Sequence, residues 1–156
     1  MKHGCRDLFI NLLTVVAIFG VMEIVSRIVL KKVYNRDFDS SLIVDNKYAT
    51  SAGLKENAYG TVWGLPFHTD QFGCRVNAKP YSPKKKKWLF IGDSVTEGVG
   101  VGDSSTFASL TAAQIDSVNI LNYSLIGYSV TDYYHVLQTV LNNNASVEKV
   151  TVFYCL

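Results

Sequence analysis

The chain is poor in the residues that hold metals, bridge loops or grip nucleic acids. Only three of its 156 residues are cysteine: Cys5, Cys74 and Cys155. None forms a Cys-x-x-C pair, and no Cys/His spacing fits zinc, so a zinc module is excluded. A Cys74–Cys155 disulfide is not expected, because pairing geometry is narrow. Cysteine usage leaves the redox compartment open. The formal charge is only +2, and no basic face with interleaved aromatics stands out, so no nucleic-acid partner is expected. The glycine-rich stretch Gly98-Val99-Gly100-Val101-Gly102 lacks the Gly-Lys-Ser/Thr of a phosphate loop and the spacing of a dinucleotide loop. The sequence therefore implies no cofactor and no metal.

What is abundant is apolar, at 48% of residues. Part of it sits in one N-terminal block, residues 8–25, LFINLLTVVAIFGVMEIV. Apolar character resumes at Ile28-Val29-Leu30, and a hydrocarbon core needs about 20 such residues. The block is apolar on all faces, unlike a globular helix with one apolar stripe. No small-x-small cleavage site follows it, which favours an uncleaved anchor over a signal peptide. Glu23 and Arg27 are four apart and placed to pair on one helix face. Lys2 and Arg6 flank one side of the block, and Arg27, Lys31, Lys32 and Arg36 the other. That asymmetry alone tilts toward a cytoplasmic C-terminal domain.

Residues 31–86 form an irregular lead-in punctuated by Gly53, Gly60, Gly64, Pro66, Gly73 and Pro80. Loops and short strands are expected there, including one at residues 59–64. The lysines at 84–87 read as a solvated run before a strand. From residue 88 the pattern becomes regular. Trp88-Leu89-Phe90-Ile91 is a continuous apolar run, as in a strand buried on both faces. A helix is expected over 106–115, capped by Ser104 or Ser105, then a strand over 118–121. A second helix is expected over 131–141, with Ser129 or Thr131 near its start, then a strand over 150–154. Strand, helix, strand, helix, strand argues for a parallel α/β sheet with helices on its faces. Chemistry in such sheets gathers at the carboxyl ends of the strands. The first strand ends at Gly92-Asp93-Ser94.

That tripeptide alone is well read as an ordinary strand-to-loop turn. The longer pattern says more. Ile91-Gly92-Asp93-Ser94-Val95-Thr96-Glu97-Gly98 after an apolar strand resembles the first motif of the SGNH/GDSL hydrolases. Asn122-Tyr123-Ser124-Leu125-Ile126-Gly127 after the second strand resembles their second motif, an Asn followed five residues later by Gly. Upstream, Gly73-Cys74-Arg75 resembles the Gly-Phe-Arg lead-in of many membrane-anchored members, with Cys74 replacing the aromatic residue. The resemblance covers residue 70 onward.

It implies a three-layer, flavodoxin-like parallel sheet, incomplete at about three strands, behind one transmembrane helix. Residues 1–30 would be the anchor, 31–86 the lead-in, and 87–156 the N-terminal half of the hydrolase domain. Ser94 would be the nucleophile, with its own N–H and that of Gly127 forming the oxyanion hole. Gly92, Asp93 and Thr96 would support the nucleophile turn, Asp93 and Thr96 through hydrogen bonds to the backbone. The family's Gly-x-Asn-Asp motif would follow the third strand. Its Asp-x-x-His motif, which supplies the base, should come much later and is missing there. His3, His68 and His135 read as non-catalytic, and Asp103 and Asp132 as loop or capping residues. The expectation is a membrane-anchored esterase, acting on an ester of a lipid or glycan, that is nearly inactive as a truncated chain separated from its C-terminal half. A non-catalytic tethered remnant or binding module, and an O-acyltransferase, are the alternatives. Anchored relatives carry the domain outside the cytoplasm, which sets this expectation against the lysine/arginine count. The sequons at Asn122 and Asn144 are weak, and the first is expected to be buried.

Overall fold

The computed structural model describes residues 2–33, 37–143 and 146–154, with side chains of only residues 10–29 in the first stretch. The chain divides into two compact units, Met1–Asn35 and Arg36–Leu156. The first is one helix, α1 (Lys2–Val33). Its segment Ile10–Val29 has a mean hydropathy of 2.2 and no buried residue. At 1.5 Å per residue those 20 residues span about 30 Å, enough to cross a hydrocarbon core. Arg27 Nε lies 2.7 Å from Glu23 Oε1, the pairing their spacing suggested. Cys5 and the basic residues flanking the apolar segment fall among side chains outside the described set, apart from Arg27.

The second unit is built on a parallel sheet of three strands, β5 (Lys86–Ile91), β6 (Val118–Asn122) and β7 (Val147–Val152), in the order β6-β5-β7. Leu89 faces Leu121 on one side and Val150 on the other. Being central, β5 has no polar face: Leu89, Phe90 and Ile91 are all buried. Alternation then sends neighbours to opposite layers. Leu89 and Ile91 pack with Tyr133, Val136 and Val140 of α4 (Val130–Asn143). Phe90 packs with Ala108 and Ala112 of α3 (Phe107–Gln114). The helices thus cover opposite faces of the sheet.

Several boundaries differ from the sequence reading. The third strand starts three residues early, at Val147, because pairing to Lys87 begins there. Beyond it, Phe153 N–H still donates to Ile91 O, and its ring packs on Phe90 and Phe107. Thr106, rather than Ser104 or Ser105, caps α3, its Oγ1 accepting from Ser109 N–H at 3.0 Å. The two serines belong to a 3-10 turn, Asp103–Ser105. Ser129 does precede α4, and Asp132 reaches back to accept from its N–H and its hydroxyl, both at 2.7 Å.

The lead-in is folded onto the core rather than strung before it. It forms two antiparallel hairpins, β1 (Ile43–Tyr48) with β2 (Ser51–Leu54), and β3 (Tyr59–Val62) with β4 (Leu65–His68). Tyr48 and Cys74 share the core cluster of Leu89 and Ile91. Leu42, Leu54, Val62 and Phe67 bury against Leu125. The Cys74 thiol is free and fully buried, and burial raises its pKa well above the usual range. Cys155 and Asn144 lie outside the described residues. Asn122 is buried, as expected for that sequon.

Candidate active site

The chain leaves β5 toward β6 on one side, and later returns past β5 to β7 on the other. The two connections diverge at the carboxyl end of β5, which opens a crevice there. Gly92 begins the turn above it. A side chain at Gly92 would collide with Thr96 and come within 3.0 Å of Phe153 O, so glycine lets the strand and the turn approach closely. Asp93 caps the one-turn helix α2 (Ser94–Glu97), its Oδ1 accepting from Val95 N–H at 2.9 Å. Gly98, at φ 84°, ends that turn with its N–H on Ser94 O at 3.1 Å. Thr96 supports the turn in another way than expected. Its buried side chain packs under Gly92, and its carbonyl accepts from Asn122 Nδ2 at 2.7 Å.

Ser94 is half-buried at the start of α2. Among the described residues its Oγ has no hydrogen-bond partner, and no acceptor takes its N–H. The second motif is drawn to it by several bonds. Tyr123 N–H donates to Phe90 O at 2.9 Å, and Asn122 Oδ1 accepts from Ser124 N–H at 3.2 Å. Ile126 then lines the same cleft as Ser94. Gly127 follows, exposed, at φ 85°, a conformation that favours glycine. Its N–H also has no acceptor among the described residues. The cleft has a volume of about 440 Å³, and Trp63, Val95, Val101 and Phe107 give it an apolar wall.

Two side chains fix this geometry: Glu97, which the sequence reading passed over, and Arg75, which it noted only as part of the Gly73-Cys74-Arg75 lead-in. Glu97 is fully buried, although it sits in a polar stretch of sequence. Its Oε2 accepts from Ile126 N–H at 2.6 Å, tying the 92–98 turn to the Gly127 loop. Its Oε1 has no partner among the described residues. Burial pushes its pKa up to about 7, against the lowering effects of that N–H and of the Arg75 charge. Arg75, also buried, donates Nη1 to Glu97 O and Gly98 O, Nη2 to Val101 O and Nε to Asp103 Oδ1. Its guanidinium lies 4.5 Å from the centre of the Phe67 ring. One planar fork thereby clamps the segment 97–103 that floors the cleft.

Neither described imidazole serves Ser94. His68 Nδ1 lies 2.6 Å from Asp103 Oδ2. The spacing Asp-x-x-His does occur once, at Asp132-Tyr133-Tyr134-His135 on α4. There both ends meet a different serine. Ser51 Oγ donates to Asp132 Oδ1 at 2.6 Å and lies 3.0 Å from His135 Nδ1. Since the Ser51 proton is given to Asp132, His135 must act as donor, so it is no base for Ser51. The trio braces the β1–β2 hairpin against α4. The side chain of His3 lies outside the described set. Among the described residues no group of three His, Cys, Asp or Glu side chains is placed to hold a metal ion.

No family model matches the chain, and no curated protein matches it.

Proposed function

We propose that the chain carries the nucleophile motif of a membrane-anchored SGNH/GDSL-type serine esterase. The observation that carries this reading is the position of Ser94. It is an unpartnered hydroxyl on the first turn after the central parallel strand, at the divergence of two connections, with N–H groups at 94 and 127 that have no acceptor among the described residues. An ester carbonyl in the cleft would meet Ser94 Oγ. The Oγ–carbon bond forms, the carbonyl electron pair moves onto oxygen, and the hydroxyl proton passes to a water molecule acting as base. The N–H groups of Ser94 and Gly127 receive the oxyanion. Collapse breaks the carbon–oxygen bond to the alcohol, which leaves with a proton, and water then frees the acyl group from Ser94. O-acyl transfer differs only in using a second alcohol in place of water.

The described residues supply the nucleophile and two donors, with no imidazole on Ser94. A serine without a base is a weak nucleophile. Turnover by these residues alone is therefore expected to be low. The same observation favours a second reading, a membrane-tethered module without turnover. An alkyl fluorophosphonate probe separates them. Labelling of wild type but not of Ser94→Ala supports the hydrolase, and no labelling of either supports the second reading.

The helix α1 is long and apolar enough to be a single-pass anchor. With it in a bilayer, the ester would be one carried on a lipid or glycan at the extracytoplasmic face. Protease accessibility in sealed cells, with the second unit cleaved from outside, is the expected outcome; protection would place that unit inside.

A further inference from the structure

The hairpin β3–β4 turns on two residues, Trp63 and Gly64, both at positive φ (53° and 74°). Turns of this kind favour Asn, Asp and Gly, and a bulky residue there is an unfavourable choice for the backbone. A strained tip is retained when the side chain it presents has a use elsewhere. Here the indole lines the cleft at Ser94 and lies against Gly100, where an added Cβ would stand 3.1 Å from Trp63 Cε3. Gly100 thus lets the ring settle on bare backbone. Val101, Phe107 and Ile126 line the same cleft. Among the described residues, the polar side chains lining the cleft are the neutral hydroxyls of Ser94, Ser105 and Thr106, and no charged side chain lines it. Val95, Val101 and Ile126 remain solvent-exposed at 62%, 39% and 37%, so an apolar surface stands open beside an unpartnered serine hydroxyl.

We infer that Trp63 is a specificity-determining residue, which walls a subsite for a neutral, apolar acyl chain longer than acetyl. The inference rests on Ser94 being the point of acyl attachment. A charged or sugar-like group has no ionic or amide side-chain partner in the cleft, and desolvating it there would be unfavourable. An acetyl group would leave most of the roughly 440 Å³ volume unfilled. An alkyl chain gains from each methylene it buries against the indole and valines.

The test uses the full chain in lipid nanodiscs, with both tryptophans replaced by 5-fluorotryptophan. The two fluorine resonances, from Trp63 and Trp88, are assigned with Trp63→Phe. Hexanamide is expected to shift the Trp63 resonance saturably and leave that of Trp88 in place, in wild type and in Ser94→Ala alike, whereas acetamide at the same concentration shifts neither. In parallel, a hexyl fluorophosphonate is expected to label Ser94 at least tenfold faster than its ethyl counterpart, and Trp63→Ala to shrink that ratio to about threefold or less. An unmoved Trp63 resonance, or equal labelling rates for the two probes, overturns the subsite. A saturable Trp63 shift with no labelling of Ser94 keeps the subsite and removes the esterase reading instead. Val101→Lys provides a second variant, and it should abolish the hexanamide shift while the Trp88 resonance reports an intact fold.

Discussion

Replacing Glu97 by Gln should make the second unit more stable above neutral pH and change little below pH 5. The wild-type carboxyl is fully buried, with one oxygen on Ile126 N–H and the other without a partner. Its pKa rises from an ordinary 4.5 to about 7 on folding, chiefly through burial. A carboxyl raised in this way holds its proton more tightly when folded. Its stabilising contribution is full below pH 4.5, declines as pH rises toward 7 and is gone above that. The interval is about 2.5 pH units at about 1.4 kcal/mol each, so the loss amounts to about 3 kcal/mol by pH 8. Glutamine keeps an oxygen for Ile126 N–H and never ionises, so it mimics the protonated acid. Both tryptophans, Trp63 and Trp88, lie in the second unit, so urea unfolding followed by their fluorescence reports on it. Wild type and Glu97→Gln are compared at half-unit steps from pH 5 to pH 8, which cancels the titration of every other group. The expected difference is about 1 kcal/mol or less at pH 5 and grows to about 3 kcal/mol in favour of the glutamine by pH 8. A difference that stays constant across that range would refute the account of a buried, proton-holding carboxyl.

Three other perturbations follow from the same contacts. Arg75→Lys keeps the charge but cannot reach four carbonyl and carboxylate oxygens at once, so it should cost about 3 kcal/mol in the same urea assay and slow probe labelling of Ser94; unchanged stability would show that the fork is dispensable. Gly127→Ala meets open space but a left-handed backbone, so it should cost about 1 kcal/mol while the chain stays folded, and a loss above about 3 kcal/mol would indicate a packing role that the open surroundings deny. His135→Ala removes the donor to Ser51, which should lower stability by about 1 kcal/mol and leave the Ser94 labelling rate unaltered; a labelling rate that falls with it would make His135 a participant at Ser94 after all.

The parts read most easily from the sequence were those whose signal is local. A largely apolar segment long enough to cross a bilayer announces itself by composition, as does Trp88-Leu89-Phe90-Ile91 as a strand without a polar face. Gly92-Asp93-Ser94 carries its own turn chemistry, since the glycine makes room for Thr96 four residues on and the aspartate accepts from the N–H two residues on. Glu97 was invisible for the opposite reason. A glutamate between a threonine and a glycine looks solvated, and its burial depends on an N–H that arrives from 29 positions later. Arg75 is similar, because the carbonyls it clamps lie 22 to 26 positions along the chain. The Asp132-x-x-His135 spacing shows the converse hazard: the pattern is present, yet folding delivers it to Ser51.

By itself, then, the sequence determined the elements and their order: an apolar helix, a lead-in rich in turns, and strands alternating with helices around a serine-bearing turn. Those follow from hydrophobic periodicity and capping, which act over a few residues. Tertiary structure alone decided that the lead-in packs into the core, that Trp63 reaches the serine cleft, and that a carboxyl and a guanidinium are buried beneath it. Each of these is a contact between segments far apart in the chain, and side-chain burial is set by what the rest of the fold brings alongside.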